Sequence, residues 1–255
     1  MPRLTNLTAV RALLETDRPW SVYALGDLAP SFRERAEWHV AEGRPALLLV
    51  YRAFETPVLF ALGAPEDIRP LLAEISDERE LYLSIRPEIL PLVKETYTVR
   101  RETAMWRMTL DPAHFRPTIA PEAVRLSPSA LPALQQLYAD GASTGEAPDF
   151  FSADMVEQGV FYGIHENGGL IAVAGTHLVS TELSVGAVGN VYTRRDQRGR
   201  GLAARVTSAV TAELIRMGLR TIALNVNQQN AVAVRVYERL GYTRYCAFYE
   251  GVAHK

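Results

Sequence analysis

The chain has 255 residues, 48% of them hydrophobic and 22% charged, with a formal net charge of −2. That balance suits a folded chain with an ample core, and it lacks the basic excess that a nucleic-acid partner demands. No apolar run approaches the roughly 20 residues that a membrane helix needs, so a soluble protein with no membrane partner is expected.

Residues 1–8 contain Arg3 with no apolar run behind it, so no signal peptide is expected. An amphipathic helix follows at residues 7–15, with Leu7, Val10, Leu13 and Leu14 at helical spacing. Residues 46–51 and 58–62 read as strands around a polar connection. Pro65 suits the first turn of a helix over 65–75, which places Ile68, Leu71, Leu72 and Ile75 on one face. A strand at 81–85, a helix at 87–95 and a strand at 103–110 complete a β-β-α-β-α-β series, which implies a mixed sheet covered by helices. Trp20, Tyr23, Phe32 and Trp38 form an aromatic set, suited to core packing and also to part of an acceptor pocket.

Residues 111–121 carry three prolines and little periodicity, the composition of a connector. The expected domains are therefore 1–115 and 121–255. The second opens with a strand at 123–126, a helix at 128–138 and a short helix at 152–158. Strands at 159–164 and 170–178 flank Asn167-Gly168, a hairpin signal because both residues tolerate positive φ. A strand at 187–192 then runs into a basic turn. The helix at 202–217 places Val206, Val210, Leu214 and Met217 on one face, and Gly218 closes it. A strand at 221–226, a helix at 230–240 closed by Gly241, and a strand from 242 to 249 finish the series.

The turn Arg198-Gly199-Arg200-Gly201-Leu202-Ala203 carries the chemistry. A helix N-terminus presents unpartnered amides and the positive end of a dipole, and glycines let that backbone approach a pyrophosphate closely. Neither the dinucleotide fingerprint nor the GxxxxGK[ST] loop is present, which disfavours a dehydrogenase or a kinase. An ordinary turn with solvated arginines is the plain reading of the turn taken alone.

The turn matches the R/Q-x-x-G-x-G/A signature of the GNAT superfamily of N-acetyltransferases. Asn230-x-x-Ala233-x-x-x-Tyr237-x-x-x-Gly241-Tyr242 resembles that superfamily's second motif, and the element order over 121–250 is similar to its fold. Gly189-Asn190-Val191-Tyr192-Thr193 is most similar to the two-domain, glycine N-acyltransferase-like branch. The resemblance implies an α/β (α+β) fold with a mixed, mostly antiparallel sheet, preceded by a degenerate copy in the first domain. That copy lacks the turn and is assigned no cofactor. In two-domain relatives such a half helps to form the acceptor site.

What the resemblance implies is acetyl transfer from acetyl-CoA to a primary amine of a small molecule or amino acid. Main-chain groups of Val191, Tyr192 and Thr193 would meet the thioester and pantetheine arm. The segment Arg198, Gly199, Arg200, Gly201, Leu202 and Ala203 would hold the pyrophosphate, with Asn230 contacting the pantetheine or phosphate region. Tyr237 would protonate the departing thiolate, since tyrosine keeps its proton at neutral pH.

The base is open. Residues 187–191 offer no carboxylate, so His177 is a candidate, Glu182 a second, and proton loss to a water chain a third. The missing carboxylate also leaves room for a non-catalytic acyl-CoA-binding or regulatory protein. The scattered histidines show no metal-ligand spacing, and the single cysteine, Cys246, fits a reducing, cytoplasmic setting. No sequence feature specifies an oligomeric state.

Overall fold

The computed structural model describes residues 6–142, 144–148 and 150–255, so the stretch read for a leader lies mostly outside the described residues. The first elements are α1 (Leu7–Glu15), α2 (Val22–Gly26), β1 (Ala36–Val40), β2 (Leu47–Tyr51) and β3 (Val58–Leu62). Then come α3 (Pro65–Glu74), β4 (Glu80–Ile85), α4 (Leu90–Lys94), β5 (Thr98–Leu110) and β6 (Val124–Arg125). Next are α5 (Leu131–Ala142), α6 (Ala153–Gln158), β7 (Tyr162–Glu166), β8 (Gly169–Ser180) and β9 (Val185–Thr193). The last are α7 (Leu202–Arg216), β10 (Thr221–Asn227), α8 (Ala231–Leu240) and β11 (Thr243–His254). The architecture is a mixed α/β fold, mostly antiparallel, with parallel pairing of β3 with β4 and of β9 with β10.

The chain forms two compact units whose borders differ from the expected 1–115 and 121–255. One comprises Met1–Arg107, Val226–Gln229 and Arg244–Lys255; the other comprises Met108–Asn225 and Asn230–Thr243. Residues 244–255 leave the expected second domain because β11 pairs antiparallel along β4, from Tyr249↔Ile85 to His254↔Glu80.

In the first unit, β2 is buried on both faces from Leu47 to Val50, as a strand covered on both sides must be. The expected helix at 87–95 shortens to α4, with Pro91 in its first turn, where a missing N–H leaves no helical bond unmade. Trp20 and Trp38 are core residues, 0% and 4% exposed, so these two rings pack the interior rather than a pocket wall. Trp20 Nε1 donates to the Ala61 carbonyl at 2.9 Å, and its ring lies 5.2 Å from Phe60. Pairing of β3 with β4 runs from Val58 to Phe60, so Trp20 occupies the strand just past that pairing. Trp20→Ala is expected to cost about 3–5 kcal/mol in a denaturant titration, the range for emptying a large aromatic site. A loss below about 1 kcal/mol would contradict this packing role.

Buried Arg107 stacks on Tyr23, Trp20 and Phe248 at 4.7, 5.2 and 5.3 Å from the ring centroids. Burial pulls its pKa down, and ring faces supply part of what water no longer gives.

In the second unit the strand order is β10-β9-β8-β7-β6. Asn167 and Gly168 turn the β7–β8 hairpin with φ of +51° and +78°, the two positive values a type I′ turn needs. Helix α7 buries Val206, Val210 and Leu214 completely. Two of its buried polar residues have partners of their own: Ser208 Oγ accepts from Thr118 N at 2.8 Å, and Thr211 Oγ1 donates to Thr207 O at 2.8 Å. Leu126, Leu134, Leu137, Tyr138, Val156 and Phe161 build the core beneath α5 and α6.

Candidate active site

Strand β9 pairs irregularly with β8. Its parallel pairing with β10 runs from Val185↔Thr221 to Val188↔Leu224, and β9 then continues through Thr193. Against β8 it shifts register twice. Between Val173↔Tyr192 and Gly175↔Gly189, β9 holds one residue more than its partner, and Asn190 there has a φ of +52°. Between Thr176↔Val188 and Leu178↔Ala187, the extra residue is His177 on β8. Such bulges re-aim backbone and side chains at the cost of ladder bonds.

The Asn190 carbonyl accepts from Tyr138 Oη at 2.9 Å inside the core. Asn190 Oδ1 and Thr193 Oγ1 are buried without a hydrogen-bond partner among the described residues. Leaving such atoms unsatisfied costs about 1–3 kcal/mol each.

Two glycines make room beside the bulges. A Cβ on Gly189 would stand 2.3 Å from His177 Nε2, and one on Gly175 would stand 2.2 Å from the Phe161 ring. The two are register partners, so their open positions share a face, and Phe161 assigns that face to α5 and α6. His177 therefore lies on the α5/α6 side. Gly186 faces Leu214 and Leu219, which places α7 on the other side.

Strand β9 leads into the basic turn. Gly199 and Gly201 have φ of +80° and +75°, and a Cβ on either meets nothing within 4 Å. The glycines are thus required by torsion, and the space outside them is open. Gly201 is the N-cap of the 15-residue α7, whose first turn contains no acidic residue. That leaves the amides of Leu202 and Ala203, and the dipole's positive end, facing outward.

Each nearby guanidinium already has a carboxylate. Arg198 pairs with Glu146 at 2.8 Å, Arg200 with Glu166 at 2.8 Å and Arg205 with Glu122 at 2.7 Å, while Arg194 pairs with Asp196 at 2.6 Å. Hydrogen bonding from Arg198 holds the Glu146 carboxyl below its ordinary range. Such solvent-exposed pairs are weak and open readily, so these guanidiniums are only loosely held by their carboxylates. Glu146→Gln is expected to tighten coenzyme A binding about threefold and to steepen its salt dependence. Calorimetry at two ionic strengths checks this, and weaker binding would contradict it.

The first unit offers a comparison for β9–α7–β10 in its β3–α3–β4. There the helix starts at Pro65, which has no N–H, and carries Glu66 and Asp67 in its first turn. A missing donor and two carboxylates oppose a phosphate.

Helix α8 carries the second motif. Asn230 is its N-cap, with Oδ1 accepting from Ala233 N at 3.0 Å, so this carboxamide oxygen is committed to the helix. Tyr237 is 7% exposed and packs edge-on against Tyr242, 6.2 Å between centroids. Burial pushes its hydroxyl up to about 12. Tyr242 Oη lies 2.9 Å from Thr211 Oγ1 on α7, which ties α8 to the helix behind the turn.

The structure thus gathers Val191, Tyr192 and Thr193 with Arg198, whose Nε donates to Thr193 O at 3.3 Å and whose guanidinium lies 5.8 Å from the Tyr192 ring. His177 and Tyr237 are not brought together: one lies on the α5/α6 side, the other on the helix packed against α7. Sequence reading missed Tyr138 and Asp140. Asp140 Oδ2 accepts from Tyr192 Oη at 2.9 Å and from Arg195 N at 3.0 Å, clamping the end of β9. Neither residue stands in a recognisable motif, so no local signal marks them.

Residues 161–249 match the family model described as FR47-like protein. A GNAT-family structure from Novosphingobium aromaticivorans superposes with a TM-score of 0.66 over 94% of this chain and 99% of that chain, at 24% identity. The chain has the GNAT fold. By sequence, this GNAT-fold chain is similar to the mycothiol acetyltransferase of Actinosynnema mirum, 34% identical over 118 residues, 44% of this chain and 35% of that protein. It is also similar to the mycothiol acetyltransferase of Geodermatophilus obscurus, 44% identical over 62 residues, 23% of this chain and 20% of that protein. The chain thus spans about a fifth to a third of the length of these relatives. Among the described residues of the GNAT-fold chain, no helix is long and apolar enough to cross a membrane.

Proposed function

We propose that the GNAT-fold chain is an acetyl-CoA-dependent N-acetyltransferase whose acceptor is a primary amine of a small molecule or amino acid. The observation that carries this reading is the course of β9. It leaves β10 after Val188, bulges at Asn190 and runs directly into a glycine turn that opens α7. Open space at Gly199 and Gly201, together with the unpartnered Thr193 Oγ1, fits a polar, pyrophosphate-bearing ligand. The second unit, Met108–Asn225 and Asn230–Thr243, is the catalytic part in this reading, and the first unit is the degenerate copy. The small-molecule acceptor is favoured by the names of the sequence relatives. The branch resemblance of residues 189–193 and a reducing, cytoplasmic setting belong to the same proposal.

Bound acetyl-CoA would supply a thioester-activated acetyl group. Amides of Gly201, Leu202 and Ala203, with Arg198 and Arg200, would hold its pyrophosphate, and Asn230 would border the arm. Val191, Tyr192 and Thr193 would align the thioester, with the Val191 N–H as a fixed donor to the carbonyl oxygen. Tyr237 holds its proton at neutral pH and is suited to deliver it to the sulfur. His177, on the α5/α6 side, would accept the amine's proton.

Thiol release from acetyl-CoA over a panel of amines and amino acids tests the reading, with turnover of at least one amine expected. Tight coenzyme A binding without release would favour a binding or regulatory protein, and absence of binding would overturn the reading.

A further inference from the structure

The Asn190–Val191 peptide sits at the bulge of β9 against β8, where Asn190 adopts a left-handed φ of +52°, a region asparagine tolerates better than most side-chain-bearing residues. The φ of Asn190 sets the turn of the chain there, and a separate contact fixes the peptide that follows it. The carbonyl of this peptide accepts from Tyr138 Oη at 2.9 Å, a buried bond spanning 52 residues of chain. Tyr138 itself is fixed, 6% exposed on α5, with Phe151 at 4.8 Å and Tyr192 at 6.1 Å between ring centroids. The peptide is trans and planar, so its C=O and the Val191 N–H point in opposite directions. A donor gripping the carbonyl therefore aims the amide away from Tyr138.

We infer that Tyr138 is a positioning residue for acyl transfer, holding the Asn190–Val191 peptide so that the Val191 N–H is fixed as the donor to the thioester oxygen. The inference rests on the acetyltransferase reading, and it adds a residue that touches neither substrate. A fixed donor costs no reorganisation when charge develops, whereas a loosely held one loses part of that advantage. The competing role for Tyr138 is core packing among Leu134, Leu137 and Phe161.

The full chain carrying Tyr138→Phe separates these roles, because the ring stays and only the hydroxyl goes. The expected result is a kcat about tenfold lower, with KM for acetyl-CoA within about twofold of wild type. Leu137→Ala, which empties the same cluster, is expected to lower Tm while leaving kcat of the folded protein unchanged. Asn190→Gly provides a second variant should Tyr138→Phe fold poorly: glycine accepts the same φ but frees the peptide to rotate, so kcat again falls with KM retained. Wild-type turnover together with unchanged kcat in Tyr138→Phe or Asn190→Gly overturns the inference alone, as does a Leu137→Ala kcat that falls equally. Absence of turnover in wild type overturns the acetyltransferase reading and the inference with it.

Discussion

Tyr237→Phe is expected to lower kcat about 100-fold while coenzyme A affinity stays unchanged, the usual contribution of a general acid. A factor of 100 corresponds to about 2.7 kcal/mol of transition-state stabilisation. The ring survives the substitution, so its packing on Tyr242 persists and the lost hydroxyl is the only chemical change. With the hydroxyl pushed up to about 12 by burial, Tyr237 stays protonated throughout the working range. The pH profile of kcat should therefore show no alkaline limb from this residue below about pH 11, and an acid limb near neutrality would belong to the base. The same shift has a stability consequence. The folded pKa is raised above the ordinary 10, so this contribution is complete below pH 10 and is lost as pH rises toward 12. Single-turnover rates and pH-dependent melting measure both effects. A Tyr237→Phe rate within about threefold of wild type would remove the residue from the acid role.

Gly201→Val is expected to raise the acetyl-CoA KM about 100-fold and to cost about 1–3 kcal/mol of stability. The open space around Gly201 means that no clash causes this; the cost comes from a φ of +75° that a β-branched residue resists. Relief of that strain rotates the first turn of α7 and re-aims the amides of Leu202 and Ala203. Gly218→Val is the matched control at the far end of the same helix. Gly218 has a φ of +80°, and a Cβ there meets nothing within 4 Å, so comparable destabilisation is expected with KM unchanged. Equal KM effects from the two variants would show that global destabilisation, rather than the turn, governs binding.

The features legible in sequence were those set by neighbours along the chain. Asn167-Gly168, the Gly199–Gly201 turn, the 3.6-residue period of Val206, Val210 and Leu214, and the Gly241 stop of α8 are all local devices, and each forms the element expected of it. Features set by a partner strand were not legible. The bulge at Asn190 exists only relative to β8, and His177 reaches Gly189 only because β8 holds an extra residue there. Strand β1 was missed because Glu37 and His39 flank the one buried residue, Trp38, so its alternation shows a single apolar position. The aromatic set around Trp20 could not be assigned without knowing that Ala61 offers its indole a carbonyl. Tyr138 carries no local signal because its partner lies 52 positions away.

The pairing of β11 with β4 also determines when the first unit can finish folding. Its sheet is completed by residues made long after the rest of the unit, since His254 pairs with Glu80 and Tyr249 with Ile85. At about 5–20 residues per second, the ribosome leaves β4 without this neighbour for roughly 10–30 s. Through that interval β4 presents an unpaired edge, with Leu81, Leu83 and Ile85 ready to recruit another strand. The contact order of the first unit is correspondingly high, and its folding rate is limited by a closure that no local propensity can accelerate. Chaperone demand during synthesis should therefore fall on the N-terminal residues, even though the proposed chemistry belongs to the other unit.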